Sequence, residues 1–475
     1  MPPQAAPDPT HWTRHLRVML GSVLWLVAVS YLRFGLAGTL DLDAPPFNVG
    51  REVTTRLLMI PGVALLCLSY LRLWRGGVPA TARRGLLKWS VALAVAAALA
   101  LPLTSNDVFS NLAYGHMSHA GLDTSRLGPR ALPPQDPFRA LVTPRWLDSP
   151  CVYGPVSGAA FYLTTIGGSV WAALVAYKLL FLAVALATIF LCYRACAAVL
   201  PAGRSMPALV LFICNPLFLW EVAGQGHNDG LMILFTLLFV VALVRRQVWW
   251  AGLCLILGIL GKSAVLPVLF FLTTYLMGRL RERYYWWFCG AAAAAFAALL
   301  WLYPKMDLPM GLSSAGAAVV ATRLINSIPY LLFTFSLPMG EAVALTVYRV
   351  YWLASLVVVA AVAVRYGRKV TDPQALFEYS FRYLLLLALV FSPNLQPWYF
   401  TWALPFAIFT GSEPLERFLV LASLAFFMLY PALQSVPAGL LALACLVLLL
   451  TRYRTDLDLF VRLPGPGVAV NAPTG

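Results

Sequence analysis

Residues 91–104, "VALAVAAALALPLT", carry no charge and lead directly into residues 105–123, "SNDVFSNLAYGHMSHAGLD". The first stretch has the character of a membrane-embedded helix. The second supplies two carboxylates, Asp107 and Asp123, two histidines and a tyrosine. Groups fit for proton chemistry therefore stand at the end of an apolar span.

The rest of the chain repeats the apolar half of that junction. Of 475 residues, 61% are hydrophobic and 11% charged, and the mean hydropathy is +0.78, which is the composition of a polytopic membrane protein. Apolar runs at 18–36, 57–74, 88–104, 170–194, 206–220, 230–245, 248–261, 264–278, 284–303, 341–364, 379–392, 398–411, 417–433 and 437–451 place about fourteen transmembrane helices. No small-residue cleavage site follows the first run, so it is expected to stay as a span.

Lys and Arg number 34 against 19 Asp and Glu, a net charge of +15. The cations fall mostly in short loops: Arg14, Arg17, Arg72 to Lys88, Arg194, Arg204, Arg245, Arg246, "RLRER" 279–283, "RYGRK" 365–369, Arg417 and "RYR" 452–454. All of these lie on one side, which the positive-inside rule makes cytoplasmic. The excess charge thus reads as topology among membrane lipids, not as a nucleic-acid surface. The expected organisation is a cytoplasmic N-terminus (1–17), three spans (18–104), an extracytoplasmic loop (105–169), eleven spans (170–451) and a cytoplasmic tail (452–475), in the plasma (inner) membrane. Of eight cysteines, Cys151 lies in a long polar loop and most others lie in or beside apolar runs, without CxxC spacing. Neither a disulfide framework nor a metal centre is expected.

The opposite side collects the chemistry: the opening motif, the arm that runs to "CVYGP" 151–155, "EVAGQGHNDG" 221–230, Lys262 and "SPNLQPWYF" 392–400. Between Arg246 and Arg279 each hairpin arm has about 15 residues, about 22 Å of helix, against a hydrocarbon core of about 30 Å. The turn at "GKSA" 261–264 should therefore be recessed, as should the hairpins peaking at "GQGHNDG" and "SPNLQPWY". Non-helical backbone at that depth is tolerated where it lines a wet cavity or is buried in protein. One outward-open cavity is expected, lined by His227, Asn228, Asp229, Lys262, Gln396, Trp398 and Tyr399.

The opening motif is its rim. Ser105 or Asn106 is placed to cap a helix that Gly121 ends in a left-handed conformation. On that helix Asp107, Asn111 and Tyr114 follow i, i+4, i+7 and share one face, and His116 is a further candidate for substrate contact. Each reading has a plainer rival. Asp107 also suits a helix N-terminus electrostatically; Asn228 or Asp229 also suits a helix cap. Trp398 and Tyr399 also suit an interfacial belt, and Tyr153 a turn. Lys262, a costly charge at that depth, either meets substrate or pairs with Glu221 or Asp229.

"NDVFSNLAYGHMSHAGLD" 106–123, "SPCVYGPVSG" 149–158, "NPLFLWEVAGQGHNDGLM" 215–232, "LGILGKSAVLP" 257–267 and "QPWYFTWALP" 396–405 together resemble the polyprenol-phosphate-mannose-dependent alpha-1,6-mannopyranosyltransferases, within the GT-C class. The resemblance spans about residues 100 to 410. It implies an all-α GT-C-like fold, a polyprenyl-phosphate sugar donor, a glycan or glycolipid acceptor, inversion on the outer face and an acidic base in the first large outer loop. That position is Asp107. Asn106 precedes it where many GT-C enzymes carry a second acidic residue.

One carboxylate is chemically sufficient. The acceptor hydroxyl needs its proton removed, while the leaving polyprenyl phosphate is already a stable anion and needs no acid. Fixed cations can meet the growing phosphate charge, so no cofactor is required, although a divalent cation would serve too. Lys262 is the first choice, with Arg126, Arg130, Arg139 and Arg145 as alternatives. Another polyprenyl-phosphate sugar (arabinofuranose, glucose), a lipid-linked saccharide flippase and an inactive scaffold remain as alternatives.

Overall fold

The computed structural model describes residues 11–34, 49–277, 290, 320, 324–430 and 436–451. The expected span at 284–303 lies outside them, apart from the single residue 290. Among the described residues the protein is helical without a β-strand; the one extended pairing is an isolated bridge between Ile325 and Asn394.

Two long helices, α1 (His11–Phe34) and α2 (Val49–Gly76), run antiparallel: Trp25 donates to the Leu58 carbonyl in mid-pair and Gly76 meets His11 at the end. Helix α3 (Arg83–Ala98) ends sooner than the apolar pattern suggests, and residues 99–106 descend without helix to α4 (Asp107–His119). As expected, Gly121 takes a left-handed φ of 70° just past α4. A loop region then returns through α5 (Pro155–Thr164) to the long α6 (Val170–Val199), whose N-terminus Ser169 caps by accepting from the Ala172 N–H.

Helix α7 (Ala202–Ile213) is followed by a wider π-helical turn, Leu219–Gly224, and then by α8 (Asp229–Val244). Helices α9 (Val248–Gly261) and α10 (Leu266–Met277) have 14 and 12 residues, about 21 and 18 Å, matching the short arms read from the sequence. After them come α11 (Ile328–Ser336), α12 (Glu341–Gly367) and α13 (Pro373–Leu386), the last running on as a π-helical turn to Phe391. The segment expected to span 398–411 is instead a 3₁₀ helix, Pro397–Ala403, joined to the short α14 (Leu404–Thr410). Helices α15 (Glu413–Met428) and α16 (Val436–Thr451) complete the described chain.

Six helical stretches among the described residues are long and apolar enough to cross a membrane, and five shorter apolar helices accompany them. They are not equivalent. The apolar stretch in 203–224 is 94% buried within the protein and that in 341–367 only 28%, so the first lies in the core of the bundle and the second on its outer edge. Exposed Val350, Val357, Leu57 and Leu179 belong to such edges. The chain is a membrane protein, and the segments that interrupt its central helices converge on one cavity.

Candidate active site

The cavity, of about 750 Å³, is lined from several distant stretches of chain. Helix α4 supplies one wall. Asp107, its first residue, donates its backbone N–H to Ser105 Oγ at 3.1 Å; Asn106 makes no side-chain cap. Asp107, Asn111 and Tyr114 all reach the cavity, as their spacing requires. Asn111 also donates to the Tyr177 hydroxyl at 2.8 Å, and Tyr114 donates to the Ser149 carbonyl at 2.9 Å, tying the returning loop to the helix.

His116 does not join them. It lies nine residues after Asp107, half a turn round the helix, and pairs with Asp136 at 3.1 Å while stacking on Phe138. Arg126 is likewise elsewhere, exposed and paired with Asp123 at 3.2 Å. Arg130 pairs with Asp148, and Arg139 donates to the Leu132 carbonyl at 2.6 Å. Of the four loop arginines only Arg145 lines the cavity.

The second wall begins where the π-helical turn ends. The wider turn lets Gln225 N–H reach the Trp220 carbonyl at 2.7 Å. Gly226, at φ 71°, then reverses the chain where a side chain would both strain the backbone and strike Tyr177. His227, Asn228 and Asp229 follow, with exposures of only 3%, 0% and 1%. They stand behind the cavity surface and do not line it, which corrects their expected place. Each is buried because it already has neighbours. Asn228 donates to Ser157 Oγ at 3.3 Å, and Ser157 in turn donates to the Gly261 carbonyl at 2.9 Å. Asp229 accepts from Lys262 Nζ on both oxygens at 2.9 Å and from the Trp402 indole. His227 stacks on Trp398 with centroids 3.9 Å apart, its Nε2 3.0 Å from Glu221 Oε2 and its Nδ1 3.8 Å from Asp107 Oδ2.

Lys262 sits where α9 breaks, in extended backbone, and lines the cavity. The rings of Tyr399, Trp402 and Tyr153 surround its ammonium at 5.1, 5.2 and 5.6 Å. Gly154 packs its Cα against the Leu260 carbonyl, where a Cβ would fall at 2.1 Å, and so carries Tyr153 to this point. Burial, with Asp107 and Asp229 nearby, pushes the Tyr153 phenol well above its ordinary value, so it is a neutral hydrogen-bonding group. In the turn before α8, burial opposes a charged His227, but Glu221, Asp107 and Asp229 together raise the imidazole above its usual value.

The third wall is formed by 324–327 and 393–399. The Ile325–Asn394 bridge, with Ser327 Oγ donating to the Pro393 carbonyl, fixes these strips side by side. Asn326, at φ 55°, Asn394, Gln396, Trp398 and Tyr399 line the cavity from there. Gln396 donates to Asn394, and Tyr399 stacks on Trp402. Residues 324–327 lack the periodicity that marked other segments. Arg56, also in the lining, did carry a signal: it lies at the end of α2 opposite Arg72 and Arg75, away from the charged loops.

The family described as "Alpha-(1->6)-mannopyranosyltransferase, N-terminal domain" matches residues 16–278, more than half of the chain. The chain belongs to this family. It is a glycosyltransferase, and the GT-C type fits its helical architecture. Two curated relatives bear the name Alpha-(1->6)-mannopyranosyltransferase A. The Mycobacterium tuberculosis protein is 25% identical over 374 residues, covering 75% of this chain and 71% of its own length. The Corynebacterium glutamicum protein is 29% identical over 245 residues, 48% of each chain. No solved structure matches. The stretch matched by the family contains Asp107, Glu221, His227, Asp229 and Lys262, whereas the wall bearing Asn326 and Gln396 lies beyond it.

Proposed function

We propose that the protein transfers mannose from a polyprenyl-phosphate donor to a hydroxyl of a glycan or glycolipid acceptor. The transfer is an inverting displacement on the extracytoplasmic face, with Asp107 as general base. Mannose follows from the names of the relatives. Orientation follows from the loop charges: both termini are cytoplasmic and the 105–169 loop extracytoplasmic.

The observation that carries this reading is the contrast between the two carboxylates nearest the cavity. The Asp107 side chain is 30% exposed and opens into it; Asp229 is 1% exposed and has Lys262 and the Trp402 indole on its oxygens. A base must reach the acceptor proton, and only the first has the room. The acceptor oxygen attacks the anomeric carbon, its proton passes to Asp107, and the C–O bond to the donor phosphate breaks with its electron pair leaving on phosphate. Lys262 spends two of its three N–H donors on Asp229 and has a third for the phosphate, with Arg56 and Arg145 on the lining as further cations. A cavity of about 750 Å³ suits a hexose with its phosphate.

The test is to incubate the purified protein in lipid with radiolabelled polyprenyl-phosphate sugars. Label should move from the mannose donor to a mannan-type acceptor. Transfer from the arabinofuranose or glucose donor alone would change the assigned sugar; label crossing the bilayer without a new glycosidic bond would replace the enzyme by a flippase.

A further inference from the structure

Glu221 and His227 are buried beside Asp107 without lining the cavity, and substrate binding does not explain them. A carboxylate buried at a broken helix is costly unless it is paired. Glu221 accepts from the Thr104 hydroxyl at 3.3 Å and faces His227 Nε2 at 3.0 Å. The other ring nitrogen faces Asp107 at 3.8 Å, too far for a hydrogen bond but within reach of an ion pair. Stacking on Trp398 fixes the plane of the ring, so its two nitrogens are held toward the two carboxylates. Four elements carry groups that face the imidazole. The π-helical turn offers Glu221, α4 offers Asp107, α8 offers Asp229, already joined to Lys262, and the 397–403 helix offers neutral Trp398. Behind Glu221 stands the Thr104 hydroxyl, an uncharged donor.

We propose that Glu221 and His227 are positioning residues for the transfer step. Glu221 holds His227 as an imidazolium, and that charge holds the Asp107 carboxylate in the orientation that meets the acceptor hydroxyl. The proposal rests on Asp107 as the base and extends that reading to two residues that touch no substrate. The imidazolium is present below its own folded pKa and lost as pH rises through it, so orientation of the base is lost on the alkaline side. A purely structural pair would instead lower activity equally at every pH, in step with the amount of folded protein.

The experiment compares pH profiles of transfer for wild type, Glu221→Gln, His227→Gln and Asp107→Asn in lipid, using the polyprenyl-phosphate mannose donor, with a thermal melt of each. Wild type should lose turnover at high pH. Glu221→Gln should move that loss down by about one pH unit or more, the scale expected when a neighbouring opposite charge is removed, with the donor KM unchanged. His227→Gln should be about 10- to 100-fold slower at neutral pH, as for a misaligned group, and should lack the alkaline loss. Glu221→Asp should restore part of the wild-type profile. If Glu221→Gln fails to fold, the profile of His227→Gln carries the same test. A wild-type profile in Glu221→Gln, or losses uniform across pH, overturns the proposal. Asp107→Asn separates the two failures. Full turnover in that variant removes the base itself, whereas an inactive Asp107→Asn beside an unshifted Glu221→Gln leaves the base and removes only its positioning.

Discussion

Asp107 and Asp229 each begin a helix and each is the acidic residue of its first turn. Helix electrostatics favours both equally. Their surroundings differ: Asp229 is sealed between Lys262 and Trp402, whereas Asp107 faces an open cavity with His227 at its back. Two residues of the same type at the same local position are thereby given different work, stability in one case and chemistry in the other. Local sequence governs the start of the helix. Partners 33 and 173 residues away govern what Asp229 does.

The largest effect is expected on stability, at Asp229. Asp229→Asn leaves Lys262 without its counter-charge and should cost about 3–5 kcal/mol, the range for breaking a buried pair, read as a fall in denaturation midpoint in detergent. Asp107→Asn should leave the same midpoint within about 1 kcal/mol. Equal destabilisation by the two changes would erase the distinction.

A double-mutant cycle sharpens it. Lys262→Met should be destabilising because it strands Asp229. Combined with Asp229→Asn it should recover at least about 1 kcal/mol relative to the sum of the single changes, since no charge is then left unpaired. Additive losses would mean that the contact contributes little. The smallest effect belongs to the loop: Arg126→Ala breaks an exposed pair with Asp123 and should change stability by at most about 1 kcal/mol, with transfer unchanged. A marked loss of transfer there would bring the loop arginine back into the donor site.

Much of the architecture was legible because it follows from period and length. The helices at 170–199 and 341–367, the left-handed Gly121 and the short arms around Lys262 were all readable from the residues themselves. The shared face of Asp107, Asn111 and Tyr114 was readable too, and the same count of residues would have excluded His116. What could not be read is which polar groups reach the cavity and which support it from behind. That depends on contacts made across the fold, such as Ser157 with Asn228 and Trp398 with His227. The wall at 324–327 gave no periodic signal, and the π-helical turn that swings Glu221 toward His227 continues an ordinary apolar helical pattern. Residues 398–411 read as a span because they are apolar, but Pro397 opens a 3₁₀ helix to Ala403 that places Trp398, Tyr399 and Trp402 together.

The most direct test of the central claim is single-turnover transfer of mannose from its polyprenyl phosphate by Asp107→Asn, beside wild type of the same melting temperature and donor affinity. Turnover should fall by at least about 100-fold, the contribution of a general base. Turnover close to wild type in that folded, donor-binding variant would contradict it and show that the carboxylate opening into the cavity does not take the acceptor proton.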